Sequence, residues 1–150
     1  MAGLPEEQAH YDDAMDEHRR LMLHIAELCD WLDEVEQLGM PRFLELGNRL
    51  QPLRNDLAVH FAREERDGYL AVPLARVPQF REEADELLGQ HSRFLGDLEA
   101  LSEHLQETES PFRTWQDARR RFEQLLAALR QHEHREAAIY RAAFGQPGEQ

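Results

Sequence analysis

His18, His60, His91 and His132 each fall on the apolar stripe of their own segment, between or next to regularly spaced leucines, alanines and phenylalanines. Glu64 and Glu136 follow His60 and His132 by one HxxxE spacing. A helix advances about 100° per residue, so each glutamate lies one turn on and on the same face as its histidine. Buried carboxylates among imidazoles are costly unless a cation compensates them. Imidazole and carboxylate together suit iron, zinc or manganese, and the absence of thiolate argues against a structural zinc knuckle. The six residues His18, His60, Glu64, His91, His132 and Glu136 therefore predict a two-metal site, with the carboxylates placed to bridge and the histidines capping the ends.

The elements that must position these residues read as helices. Tyr11, Ala14, Leu21, Ile25, Leu28 and Leu32 form one stripe over 5–38, which Gly39 and Pro41 terminate. A second helix is expected over 41–66, with Leu46, Leu50, Leu53 and Leu57 inward and a kink at Pro52. Residues 67–78 carry Gly68, Pro73 and Pro78 and read as an extended connection that packs on the bundle through its apolar residues. A third helix is expected over 79–108, and Ser110 with Pro111 reads as the cap and first turn of a fourth that runs to about Phe144. The tail from Gly145 is expected to fray. Two of the three connections are short, which predicts an all-α, up-down-up-down antiparallel four-helix bundle and one domain over 1–150.

Depth along the bundle can be checked from the turns. With the first turn centred between Gly39 and Met40, His18 lies about 21 residues before it and His60 about 20 after, so antiparallel packing brings them level. Across the last turn, near Glu109, His91 and His132 are offset by about five residues, or some 7 Å, which a site spanning two ions tolerates.

Composition excludes other classes. The formal charge is −13, with 30 acidic and 17 basic residues, so nucleic acid and anionic membrane surfaces are unfavourable partners. All the basic residues are arginine, which fits a GC-rich bacterial coding sequence. The single cysteine, Cys29, cannot form an internal disulfide, and the first ten residues lack the pattern of a secretory signal, so a cytoplasmic location is expected. Cys29 itself reads as a small buried apolar residue on the first seam. No apolar run approaches the roughly 18 residues needed to span a bilayer.

The set of His18, the pair His60 and Glu64 in HFAREE, His91 in GQHSRFL, and the pair His132 and Glu136 in RQHEHRE resembles the hemerythrin-like (HHE) cation-binding domain over about residues 10–142. The resemblance implies two iron ions in a non-haem centre, oxo- or hydroxo-bridged, with zinc or manganese as alternatives. It also implies small ligands, namely O2, NO or peroxide. Oxygen-carrying hemerythrins have a second histidine four residues after the one matched by His91, where this chain has Leu95. That departure leaves one position to water, to another carboxylate or to an exogenous ligand, and favours reaction at an open position over reversible oxygen carriage.

Other residues are weighed against plainer roles. A lone histidine on an apolar seam reads as core packing, but four, one per helix and roughly level, with two carboxylates one turn on, do not. Asp56, one turn before His60, is a candidate acceptor for an imidazole N–H, the alternative being a solvated surface carboxylate. Tyr11 is a candidate pocket residue or simple packing. Glu133 is expected to point away from the site, and His10, His24, His104 and His134 are left to solvent. The paired Glu-x-x-His motifs of ferritin-like bundles are absent apart from Glu7 to His10, as are protease, phosphate-loop and nucleophile motifs. Three functions remain open: small-ligand binding or sensing, a peroxidase- or oxidase-type enzyme, and an iron or zinc store or structural metal bundle. No protein partner is indicated.

Overall fold

The computed structural model describes residues 5–66, 68–107 and 114–145. The helices are α1 (Pro5–Leu38), α2 (Phe43–Arg66), α3 (Ala71–Arg76), α4 (Arg81–Gly89), α5 (His91–Gln106) and α6 (Trp115–Phe144), with a 3-10 turn at Pro78–Phe80 before α4. No strand occurs among the described residues. The third expected helix is thus α4 and α5 end to end, broken at Gln90. The cap expected at Ser110 and Pro111 lies outside the described residues, as does the tail beyond Gly145. The described part of the last helix opens at Trp115, where Thr114 Oγ1 accepts the Asp117 backbone N–H at 3.1 Å.

Contacts along each pair of helices run in opposite senses, which establishes the antiparallel order. Along α1 and α6, Arg119 pairs with Asp33 at 2.6 Å near one end, His18 meets Glu133 at 3.1 Å, and Tyr11 packs on Phe144 at 4.8 Å at the other end. Along α1 and α2, Arg49 covers Trp31, His24 meets Asp56, and Glu17 meets His60. Between α2 and α5, Ser102 donates to the Gly47 carbonyl at 3.1 Å, while Phe61 stacks on His91 at 3.9 Å. Gly47 suits this approach, because a Cβ there would lie 3.1 Å from Gln106 Cγ and 3.3 Å from the Ser102 carbonyl oxygen, closer than side chains ordinarily pack.

Helix α1 ends where Gly39 takes φ +73°, a left-handed conformation that glycine adopts without a Cβ clash. Helix α2 continues unbroken through Pro52, and its register keeps Leu46, Leu50, Leu53 and Leu57 at 1 % exposure or less. Burial of that kind stabilises by roughly 1.5–3 kcal/mol per leucine. The 67–78 connection, expected to be extended, instead contains the single turn-and-a-half helix α3. Pro73 is compatible with it as the third helical residue, where no intrahelical partner for an N–H exists. The expected packing of this connection holds: Tyr69, Leu70, Leu74 and Val77 are buried.

The core comes in layers. A large apolar cluster from Leu21 to Leu129 fills the half of the bundle near the α1/α2 turn. Two smaller clusters, around Tyr11, Tyr69 and Tyr140 and around Leu74, Leu87 and Ile139, close the other end under α3. The buried histidines and glutamates lie on the helices between these apolar layers, shielded from water at both ends.

Candidate metal centre

Two clusters of ligand atoms share one residue in this polar layer. Glu64, His91, His132 and Glu136, all buried, bring ligating atoms within 4.8 Å of one another; so do His60, Glu133 and Glu136. Glu136 belongs to both. The closest approaches are His132 Nε2 to Glu136 Oε1 at 2.7 Å, His91 Nε2 to Glu64 Oε1 at 3.1 Å and His60 Nε2 to Glu133 Oε1 at 3.1 Å. His60 Nε2 lies 3.6 Å from Glu64 and 4.0 Å from Glu136, so it joins the two groups.

Each central imidazole is held from behind through Nδ1. His60 is held by Glu17 at 2.7 Å, His91 by Glu65 at 3.2 Å and His132 by the Gln90 side-chain oxygen at 2.8 Å. Arg63 in turn pairs with Glu17. An acceptor on Nδ1 fixes the tautomer and leaves Nε2 as a lone-pair donor aimed inward, the arrangement that metal-binding histidines use. Phe61, stacked on His91, and Phe94, edge-on to His132 at 5.2 Å, wall this side with apolar rings.

The electrostatics record the crowding. Burial works against ionisation of the His60 imidazole, yet the charge of Glu64 and the bonds to Glu133 and Glu17 outweigh it and raise its pKa well above the ordinary value. Glu64 moves the opposite way to a well-paired acid: burial raises it, only partly offset by His60 and His91. Glu133 is buried too, but His18 and His60 hold its pKa down at about 2. His132 is pushed down to about 4, chiefly by burial. Both carboxylate oxygens of Glu64 and of Glu136, and Nε2 of His91 and His132, are buried without a hydrogen-bond partner despite their short mutual contacts. Acceptors facing acceptors at this distance lack protons to share, and a cation is the partner that satisfies them all. The donor set of imidazole nitrogens and carboxylate oxygens fits iron.

Residues 9–144 match the hemerythrin HHE cation binding domain. The chain belongs to the hemerythrin HHE family. No curated protein and no solved structure gives a significant match. An HHE domain with this buried His/Glu cluster is a metal-binding protein, iron being the usual ion. Among the described residues no helix is long and apolar enough to cross a membrane.

Of the six residues expected from the HHE pattern, the structure brings His60, Glu64, His91, His132 and Glu136 together. His18 stands at the edge, 21 % exposed, and reaches the cluster through Glu133. Glu133 corrects the sequence reading: it is fully buried and faces His18 and His60 rather than pointing away. Helix α6 buries a wider arc than one seam, because α1, α3, α4 and α5 all pack on it. The spacing of Leu126, Glu133, Ala137 and Tyr140 carried that second seam. Glu17 was also missed, although it lies three residues after Ala14 and four before Leu21.

Asp56 does not reach His60. It pairs with His24 at 2.9 Å, and Glu17 takes the backing role expected of it. Tyr11 packs on Tyr140 and Phe144 rather than lining the site, while Tyr140 lines the small cavity beside it. His10 is half-buried edge-on to Tyr69, and His24 is half-buried, so neither is left to solvent, whereas His104 and His134 are exposed. Cys29 is half-buried beside the seam and receives an Arg130 N–H at its sulfur. Leu95 packs against the large apolar cluster.

Proposed function

We infer that this chain, acting as a single HHE domain, holds two iron ions and binds a small ligand such as O2, NO or peroxide. Glu64, His91, His132 and Glu136 would hold one ion; His60, Glu133 and the shared Glu136 would hold the other, with His18 closing it from the edge. What carries the reading is the set of buried, unpartnered carboxylate oxygens and imidazole nitrogens converging on one another. Bound iron would supply a redox-active, open coordination position for a small molecule.

The chain's own residues favour a ligand of that size. A cavity of about 10 Å³ adjoins His60, Glu133 and Glu136, with Ala14, Met15, Ala137 and Tyr140 as apolar walls. That is room for about one water-sized molecule. Tyr140 donates its hydroxyl proton to the Tyr69 carbonyl, so it shapes the cavity without offering a donor to its occupant.

One observation favours peroxide reduction as a second reading. His18, partly exposed, contacts Glu133 at 3.1 Å, and Glu133 contacts His60, so a proton has a hydrogen-bonded path from solvent to the buried carboxylate. Turnover of peroxide beyond one oxidation of the reduced protein would establish this reading over simple binding.

The test of the proposal is metal analysis of protein purified without added metal, with a near-ultraviolet spectrum. About two irons per chain are expected, and replacing both His60 and Glu64 by alanine should remove them. Zinc in their place, without absorption, would support a structural or storage role. Full metal content in the double variant would refute the site.

A further inference from the structure

We propose that the groove between α5 and α6 is a binding site for a small organic carboxylate with a flat apolar body. The groove encloses about 360 Å³, within the range of small-molecule sites. In a chain of net charge −13, its lining holds three arginines, Arg93, Arg121 and Arg135, against one carboxylate, Asp97. The guanidinium fork matches a carboxylate in two parallel hydrogen bonds.

The three arginines are not equally committed. Arg135 is held by Glu83 at 3.0 Å and Glu86 at 3.2 Å, which fixes it at the mouth and neutralises it. Arg93 touches Asp97 only at 4.0 Å and is 83 % exposed, so it is free to turn to another anion. Arg121 is half-buried and has no ion pair among the described residues. A guanidinium kept from water on one side, with no counter-charge among the described residues, is a place where an anion gains more than it does at an open surface.

The walls set the rest of the ligand. Phe94 and Leu125 line the groove, and the Phe94 ring is anchored edge-on to His132. At the inner end Gln90 accepts from His132 Nδ1 through its oxygen, and its side-chain NH2 remains a donor. An apolar plate beside a cationic rim selects an amphipathic anion over inorganic phosphate. The comparable groove between α1 and α2, about 300 Å³, balances Glu17 and Asp56 against Arg20 and Arg63, and Arg63 is already paired with Glu17, so it lacks the cationic excess of the α5/α6 groove.

This site does not depend on which ion the centre holds. The test is calorimetric titration of the metal-replete protein with benzoate, alongside neutral benzamide and inorganic phosphate. Benzoate should bind at millimolar or lower concentration, benzamide should bind at least about tenfold more weakly, and R121Q should weaken benzoate by about tenfold or more, the cost of one charge-assisted hydrogen bond. Arg121 lies outside the centre, so R121Q should keep its metal content and melting temperature, which reports that it is folded. Binding unchanged in R93Q/R121Q, equal binding of benzamide, displacement by equimolar phosphate, or no heat with benzoate would each overturn the proposal.

Discussion

Replacing Glu64 by glutamine should stabilise the metal-free protein while abolishing its stabilisation by iron. Around Glu64 stand two further buried carboxylates, Glu133 and Glu136, while His132 is driven towards neutrality with its pKa near 4. Of the two central imidazoles with shifted pKa values, His60 alone is pushed towards the charged form, and it retains Glu17 and Glu133 as partners in the variant. A carboxyl whose folded pKa is raised, as burial raises Glu64, opposes folding at pH above its unfolded value. Removing such a buried charge is commonly worth about 1–3 kcal/mol. For a chain of this size that raises the metal-free melting temperature by roughly 2–12 °C.

With iron present the order should reverse. A ligand at a hundred times its dissociation constant stabilises the native state by about 2.7 kcal/mol, and a neutral glutamine oxygen is a poorer metal ligand than an anionic carboxylate. Differential scanning calorimetry under anaerobic conditions, with and without ferrous iron, separates the terms: E64Q should melt above wild type without metal and below it with metal. A metal-free E64Q that melts lower than wild type yet still gains the full increment from iron would refute the reasoning, since Glu64 would then be an ordinary paired acid and no ligand.

Three further outcomes follow from named contacts. E133Q should lower iron stoichiometry or weaken the second ion, measured by equilibrium dialysis, whereas a Glu133 on the outer face would leave both unchanged. The folded Glu133 carboxyl sits near pKa 2 against an ordinary 4.5, so its stability contribution is present above about pH 4.5 and lost as the pH falls towards 2; urea denaturation of the metal-free protein should show that acid loss reduced in E133Q. Q90L should weaken metal binding about 10–100-fold without unfolding the chain, because it removes the acceptor that orients His132, and unchanged affinity would remove Gln90 from that role.

The sequence determined the helical bundle and most of the centre, because both rest on local periodicity. A residue's angle around its own helix follows from counting, and counting alone placed His60, Glu64, His91, His132 and Glu136 on inward faces. The HxxxE pairs needed no tertiary information to share a face. Which of two adjacent seam residues enters the site was a different matter. Helix α6 is covered on several sides, so Glu133, about 100° from His132, is as buried as its neighbour, and only the packing of α1 against α6 decides it. Packing likewise set Glu17, rather than Asp56, behind His60, placed His18 at the edge, and turned Tyr140 rather than Tyr11 to the cavity. Those choices depend on the rotation and separation of neighbouring helices, set by contacts such as Gly47 on Ser102 that join residues far apart in the chain and leave no periodic trace within either helix.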